Sequence, residues 1–99
     1  MSNREDILRE QVAALPLEPG VYQFLDRNGE IIYVGKAKSL RKRVSSYFVK
    51  NKDHTPKVRV LVKQIVAIRH IVVGSEQDAL LLENSLIKTH KPRYNILLK

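Results

Sequence analysis

The sequence predicts a small α+β domain, a three-stranded antiparallel sheet flanked by helices in the order α-ββ-α-α-β-α. Three observations predict it. Asn28-Gly29 stands between two β-rich runs, residues 21–25 and 30–34, which is the strongest short-range hairpin signal. A third β-branched run, residues 69–73, stops at Gly74. Around these runs, apolar residues recur at helical rather than alternating spacing. The length of 99 residues allows one domain, and the 43% hydrophobic content suffices for one core.

Taken in order, residues 4–15 place Ile7, Leu8, Val12 and Leu15 at helical spacing, and Pro16 with Pro19-Gly20 stops that helix. The hairpin follows. With a two-residue Asn28-Gly29 turn of type I′, paired numbers sum to 57, so Tyr33 faces Phe24 and Tyr22 faces Gly35. Tyr22 and Tyr33 then share one face of the sheet, and a four-residue loop would keep them together. An odd-length loop would separate them. Ser39 can cap a helix running to about Phe48, with Leu40, Val44 and Tyr47 or Phe48 inward. Residues 49–56 read as a polar loop and residues 58–67 as a second helix carrying Leu61 and Ile65. The third strand begins near Ile68. Ser75-Glu76-Gln77-Asp78 resembles a capping box for a last helix that reaches about His90 and is stopped by Pro92.

Composition excludes several chemistries. With no cysteine there are no disulfides, thiol nucleophiles or Cys-ligated metals. No apolar run approaches the roughly 20 residues of a membrane span, and the polar N-terminus is not a secretion signal. A cytoplasmic protein with no membrane partner is expected. The net charge of +8 is unevenly distributed: residues 36–63 hold ten basic groups against the single acid Asp53. Such a field recruits a polyanion, nucleic acid first, although a solvated basic face has the same composition.

Within this frame some residues stand out. Gly35 ends a strand beside the paired tyrosines, where glycine marks a bulge or a close backbone approach. The two tyrosines themselves are compatible with core packing. Glu83 falls near the centre of an apolar stripe of Ala79, Leu80, Leu82, Leu86 and Ile87 on the last helix. A carboxylate there needs a cation, either a structural Arg or Lys or a divalent metal, and spacing alone does not choose. Arg43 and Tyr47 lie four apart on one helix face with Lys36 just before it, a pattern suited to phosphate and equally to a solvated basic helix. His54, His70 and His90 have no paired metal spacing. Asn95, after Tyr94, can tie the chain end to the body.

Together these residues resemble the GIY-YIG nuclease family. Gly20-Val21-Tyr22 matches its first motif and Tyr33-Val34-Gly35 its second, followed in order by Lys36, Arg43, Tyr47, Glu83 and Asn95. Valine replaces isoleucine at Val21 and Val34, both apolar strand positions. The runs 35–43, 83–88 and 91–95 are closer still to the branch formed by N-terminal endonuclease domains of excinuclease ABC C subunits. The likeness covers residues 15–99 and implies a GIY-YIG-like fold, with 1–15 an N-terminal helix, 16–99 the catalytic core, and the chain a domain excised from a longer protein.

The resemblance further implies that Glu83 binds one Mg²⁺ or Mn²⁺ and Tyr33 acts as general base, its phenol acidified by cations such as Lys36 and the metal. Tyr22 would orient the attacking water, Arg43 would neutralise phosphate charge, and Tyr47 and Asn95 would fix the site. Gly35 would let the backbone approach closely. Lys36, Lys38, Arg41, Lys42 and Arg43 would hold DNA. The implied reaction is hydrolysis of one strand of damaged double-stranded DNA, 3′ to a lesion, in nucleotide excision repair. The other subunits of the excinuclease ABC complex, its B component among them, would be met through regions outside this chain. The competing expectations are a non-catalytic nucleic-acid-binding module, a repair-complex docking module, or a stand-alone nuclease of the same family.

Overall fold

The structure, a computed structural model, describes residues 3–49 and 54–97. Helix α1 (Arg4–Ala13) starts where the Asn3 side chain accepts the Asp6 N–H, which satisfies one of the orphan amides of a first turn. Leu8 and Leu15 are buried and Val12 packs beside them, but Ile7, expected on the same inner stripe, is 40% exposed. Arg4 reaches from this helix to the Val62 and Ile65 carbonyls at the end of α3 (Pro56–Gln64).

Strands β1 (Gly20–Leu25) and β2 (Ile31–Ala37) form the hairpin, and β3 (Ala67–Val72) pairs antiparallel with β1, giving the order β2-β1-β3. The expected register is present: Tyr22 faces Gly35 and Phe24 faces Tyr33. The turn behind it differs from the two-residue type I′ expected. Only Gly29 has positive φ (78°), the Gly29 N–H donates to the Asp26 carbonyl, and the Asp26 N–H donates to the Glu30 carbonyl, leaving a three-residue loop. The Asp26 carboxylate builds that loop by accepting the Asn28 and Glu30 amides. An odd loop alone would put the tyrosines on opposite faces. A bulge between Phe24 and Leu25, which pairs with Ile31, inserts the extra residue that restores the alignment.

Helix α2 (Leu40–Ser45) continues as a 3₁₀ turn (Ser46–Phe48) rather than as one helix, and Ser39 stands at its N-cap without a side-chain bond. Of the loop expected over 49–56, residues 50–53 lie outside the described residues. α3 begins at Pro56, capped by Thr55, and ends at Gln64, so it lies a little earlier than residues 58–67. α4 (Glu76–His90) starts where the Ser75 hydroxyl accepts the Asp78 N–H and ends at Lys91 in the left-handed conformation. A further short helix, α5 (Arg93–Leu97), follows the buried Pro92. None of the described helices is long and apolar enough to cross a membrane.

The sheet separates two apolar clusters. Tyr22, Phe24, Leu40, Val44, Tyr47, Leu61 and Ile65 fill one face with Leu8, and Val21, Val34 and Ala79 fill the other beneath α4. Leu80, placed in the inner stripe of α4 by its spacing, is 43% exposed instead. Gln11 covers part of the free edge of β3 by accepting the Ile68 N–H.

Candidate active site

Pairing across β1 and β2 brings the aromatic rings together. Tyr22, 1% exposed, lies 6.2 Å from Tyr33 and 5.9 Å from Tyr47, and Tyr33 lies 6.4 Å from Tyr47, ring centre to ring centre. The Tyr22 and Tyr47 hydroxyls are hydrogen-bonded at 2.8 Å, so each buried phenol has a partner. Arg43, one turn before Tyr47, lays its guanidinium over that ring at 5.3 Å, with Nη2 3.5 Å from the Tyr47 hydroxyl. The predicted Arg43, Tyr47, Tyr22 and Tyr33 therefore form one cluster.

Gly35 serves a different need from the backbone approach expected of it. A β-carbon there would lie 2.3 Å from Cζ and Oη of Tyr22, because that ring lies across the glycine. The place a β-carbon would take is filled by that buried ring.

Asn95 closes the outer edge of β2. The Val34 N–H donates to Asn95 Oδ1 and Asn95 Nδ2 donates to the Val34 carbonyl, both at 2.8 Å. One side-chain amide thus stands in for a neighbouring strand between Tyr33 and Gly35. Buried Tyr94 and Pro92 anchor α5 so that the amide can reach.

Glu83 is half-buried on α4, among Ala79, Leu82, Leu86 and Ile87, which pack against Val21 and Val34. Among the described residues its carboxylate makes no ion pair and no hydrogen bond; the ion pair present, Lys38 with Glu76 at 3.7 Å, lies elsewhere. Its negative charge does reach Tyr33, whose phenol it helps to raise. No group of three or more acidic, histidine or cysteine side chains surrounds it among the described residues. A single carboxylate with an open approach suits a hard divalent cation that keeps most of its waters.

The electrostatics show what the chain's own groups do to the Tyr33 phenol. Burial, reinforced by Tyr47 and by Glu83, pushes the Tyr33 phenol well above its ordinary value, and Arg43 opposes that rise. Tyr22 is raised in the same way, by burial first and then by Tyr47. The phenol of the chain alone is therefore raised rather than acidified, with Arg43 the cation that opposes the rise. Desolvation outweighs the opposing Arg43 charge.

Comparison with known proteins follows the same residues. Positions 18–96 match the family described as the UvrC-like GIY-YIG domain. The chain belongs to that family. It is 64% identical over 95 residues to UvrABC system protein C of Bacteroides thetaiotaomicron and 65% identical over 92 residues to that of Flavobacterium psychrophilum, covering 95% and 93% of this chain. In each case the chain spans 15% of the relative's length. The crystal structure of the GIY-YIG N-terminal endonuclease domain of UvrC from Thermotoga maritima, bound to its catalytic divalent cation, magnesium, superposes with a TM-score of 0.78 at 37% identity. That alignment covers 95% of this chain and 98% of the other.

Within this GIY-YIG domain, the expected DNA-binding residues divide. Lys36, Lys42 and Arg43 line one cleft, which also takes in Lys38. Lys38 is shared with exposed Glu76 in a pair of little strength. Arg41 points elsewhere: its Nε donates to the Leu15 carbonyl at 2.7 Å and fastens α2 to the segment before β1. His54 joins the cluster with no forewarning in the sequence. Its ring lies against Tyr47, planes 16° apart, with Nε2 3.2 Å from the Tyr47 carbonyl oxygen. A lone histidine in a polar loop carries no periodic signal that could place it there.

Proposed function

We propose that this chain is the nuclease module of an excinuclease C subunit, cutting one strand of damaged double-stranded DNA 3′ to the lesion. Glu83 carries the reading. A half-buried carboxylate in an apolar stripe, without a resident cation and within electrostatic reach of Tyr33, has the setting of a site for one Mg²⁺ or Mn²⁺. The magnesium bound by the Thermotoga maritima domain supports the same assignment. When bound, such a cation supplies charge neutralisation to the scissile phosphate and the leaving 3′ oxygen.

The chain's own groups do the rest. Tyr33 orients the attacking water and takes its proton as the phenolate, after releasing its own proton to solvent; because burial holds the phenol protonated near neutral pH, that release gains from every positive charge beside it, Arg43 first. Tyr22, fixed through its hydroxyl by Tyr47, holds the water from the other side. Arg43 and Lys36 meet the phosphate. Asn95 keeps Tyr33 in place through β2. The core spans residues 16–99 with α1 added in front, within a longer cytoplasmic subunit whose other regions contact the partner subunits of UvrABC.

The test is nicking of supercoiled plasmid in Mg²⁺ by Glu83→Gln. The expected rate falls by at least about a hundredfold, with DNA retention and the melting temperature unchanged. Cutting at the parental rate would remove the metal role and leave a binding module.

A further inference from the structure

Two cavities flank the turn that carries Tyr47. One, of about 720 Å³, is the Lys36–Arg43 cleft already described. The other, of about 610 Å³, lies between α1, the end of α2 with its 3₁₀ turn, and α3, and takes no part in the chemistry above.

The floor of this second cavity is apolar, formed by Leu8, Val12, Phe48 and Val62. Its rim is cationic. Arg9, Arg59 and Lys63 are exposed there, and among the described residues none has an ion pair or a side-chain hydrogen bond. Glu5 is the one acid in the described lining. One end is walled by the stacked His54 and Tyr47 rings, and the Tyr47 hydroxyl on the other side of that wall is bonded to Tyr22. Arg43, which lines the first cleft, lies over the same Tyr47 ring, so the two cavities are linked through that ring.

The volume falls within the roughly 300–1,000 Å³ of sites that enclose a small organic ligand. Apolar walls accept a flat uncharged ring, and unpaired guanidinium and ammonium groups accept phosphate. A nucleotide out of its stack presents both surfaces. An acidic protein helix would also satisfy floor and rim, but nothing in such a partner accounts for the wall shared with Tyr47. A strand whose phosphate is held by Arg43 lies next to the Tyr47 ring that walls this cavity.

Resting on the nuclease reading of the neighbouring cleft, we infer that this cavity holds one unstacked nucleotide of the strand being cut. Its base lies on Phe48 and Val62 and its phosphate on Arg59 and Lys63.

The test is methyl NMR on the whole chain without metal, titrated with oligothymidylate, with a blunt duplex of equal length, and with an acidic peptide. Oligothymidylate should shift the Val12 and Val62 methyls. The exposed pair Arg59→Ala/Lys63→Ala should weaken that binding by about fivefold, flatten its salt dependence, and leave duplex binding within about twofold. Unmoved methyls, or a double variant that binds like the parent, would overturn the inference. So would shifts produced by the acidic peptide and not by the oligonucleotide, which would make this a protein-docking groove. Glu83→Gln should leave all these titrations unchanged, so loss of the nuclease reading in the nicking assay is separable from loss of this one.

Discussion

On the face of the sheet packed by α1, α2 and α3, Tyr22, Tyr33 and Tyr47 are drawn into one aromatic cluster, and the hydroxyls of Tyr22 and Tyr47 bond each other. On the face packed by α4, Glu83 sits half-buried among alkyl groups with no bonded partner among the described residues. The phenols are polar groups that folding explains, since each completes the environment of another. The carboxylate is one that folding leaves incomplete, and that is the ground for the cation proposed there. A polar residue points to chemistry most clearly when the fold has supplied it with nothing.

Three substitutions and one control test this contrast. Gly35→Ala should break the phenol face outright. The new β-carbon collides with the Tyr22 ring 2.3 Å away, so the chain should lose roughly 3 kcal/mol or more. A melting temperature within a few degrees of the parent would mean that the ring is free to move aside.

Asn95→Ala comes next. Removing both bonds to Val34 should cost about 1–2 kcal/mol and slow nicking, because Tyr33 adjoins the released strand. Gln11→Ala is its control on the opposite edge: it removes the bond to Ile68 and should lower stability by about 1 kcal/mol without slowing nicking. Equal kinetic effects from the two would dissolve the distinction between the edges.

The smallest effect on stability belongs to Tyr22→Phe, which loses one hydroxyl bond and about 1 kcal/mol. Its signature is at alkaline pH. Burial raises the Tyr22 phenol in the folded chain, so the unfolded chain releases that proton first. Stability is therefore full below the ordinary phenol value of about 10 and falls as pH rises beyond it. Urea midpoints measured through this range should fall less steeply for the variant, and parallel curves would show that Tyr22 is not the group responsible.

Much of this arrangement is legible in the residues themselves. The pairing of Tyr22 with Gly35 follows from strand alternation, and Glu83 follows from its position in a helical stripe. Yet the register comes out right for an incomplete reason. The Asp26 carboxylate makes a three-residue loop, and a bulge then cancels the odd count. Asn28-Gly29 reports that a hairpin forms, but not where its backbone inserts a residue. Arg41 reads like its neighbours in the basic run, and only tertiary packing sets the Leu15 carbonyl against its Nε. Five-residue α5 has too few residues for a period, so Asn95 reads only as a tether of unknown target. Gly35 reads as room for a ligand because the sequence does not tell which side chain lies across it.

The clamp on β2 also governs timing. The tyrosine hairpin leaves the ribosome some fifty residues ahead of the acid on α4 and about sixty ahead of the amide at Asn95. At about 5–20 residues per second, translation separates these events by several seconds. During that interval the nascent hairpin can gather its aromatic rings while its outer edge lacks the Asn95 amide and the acid has yet to arrive. Under the proposed nuclease reading, the chain completes its cutting site only after α4 and α5 have been made.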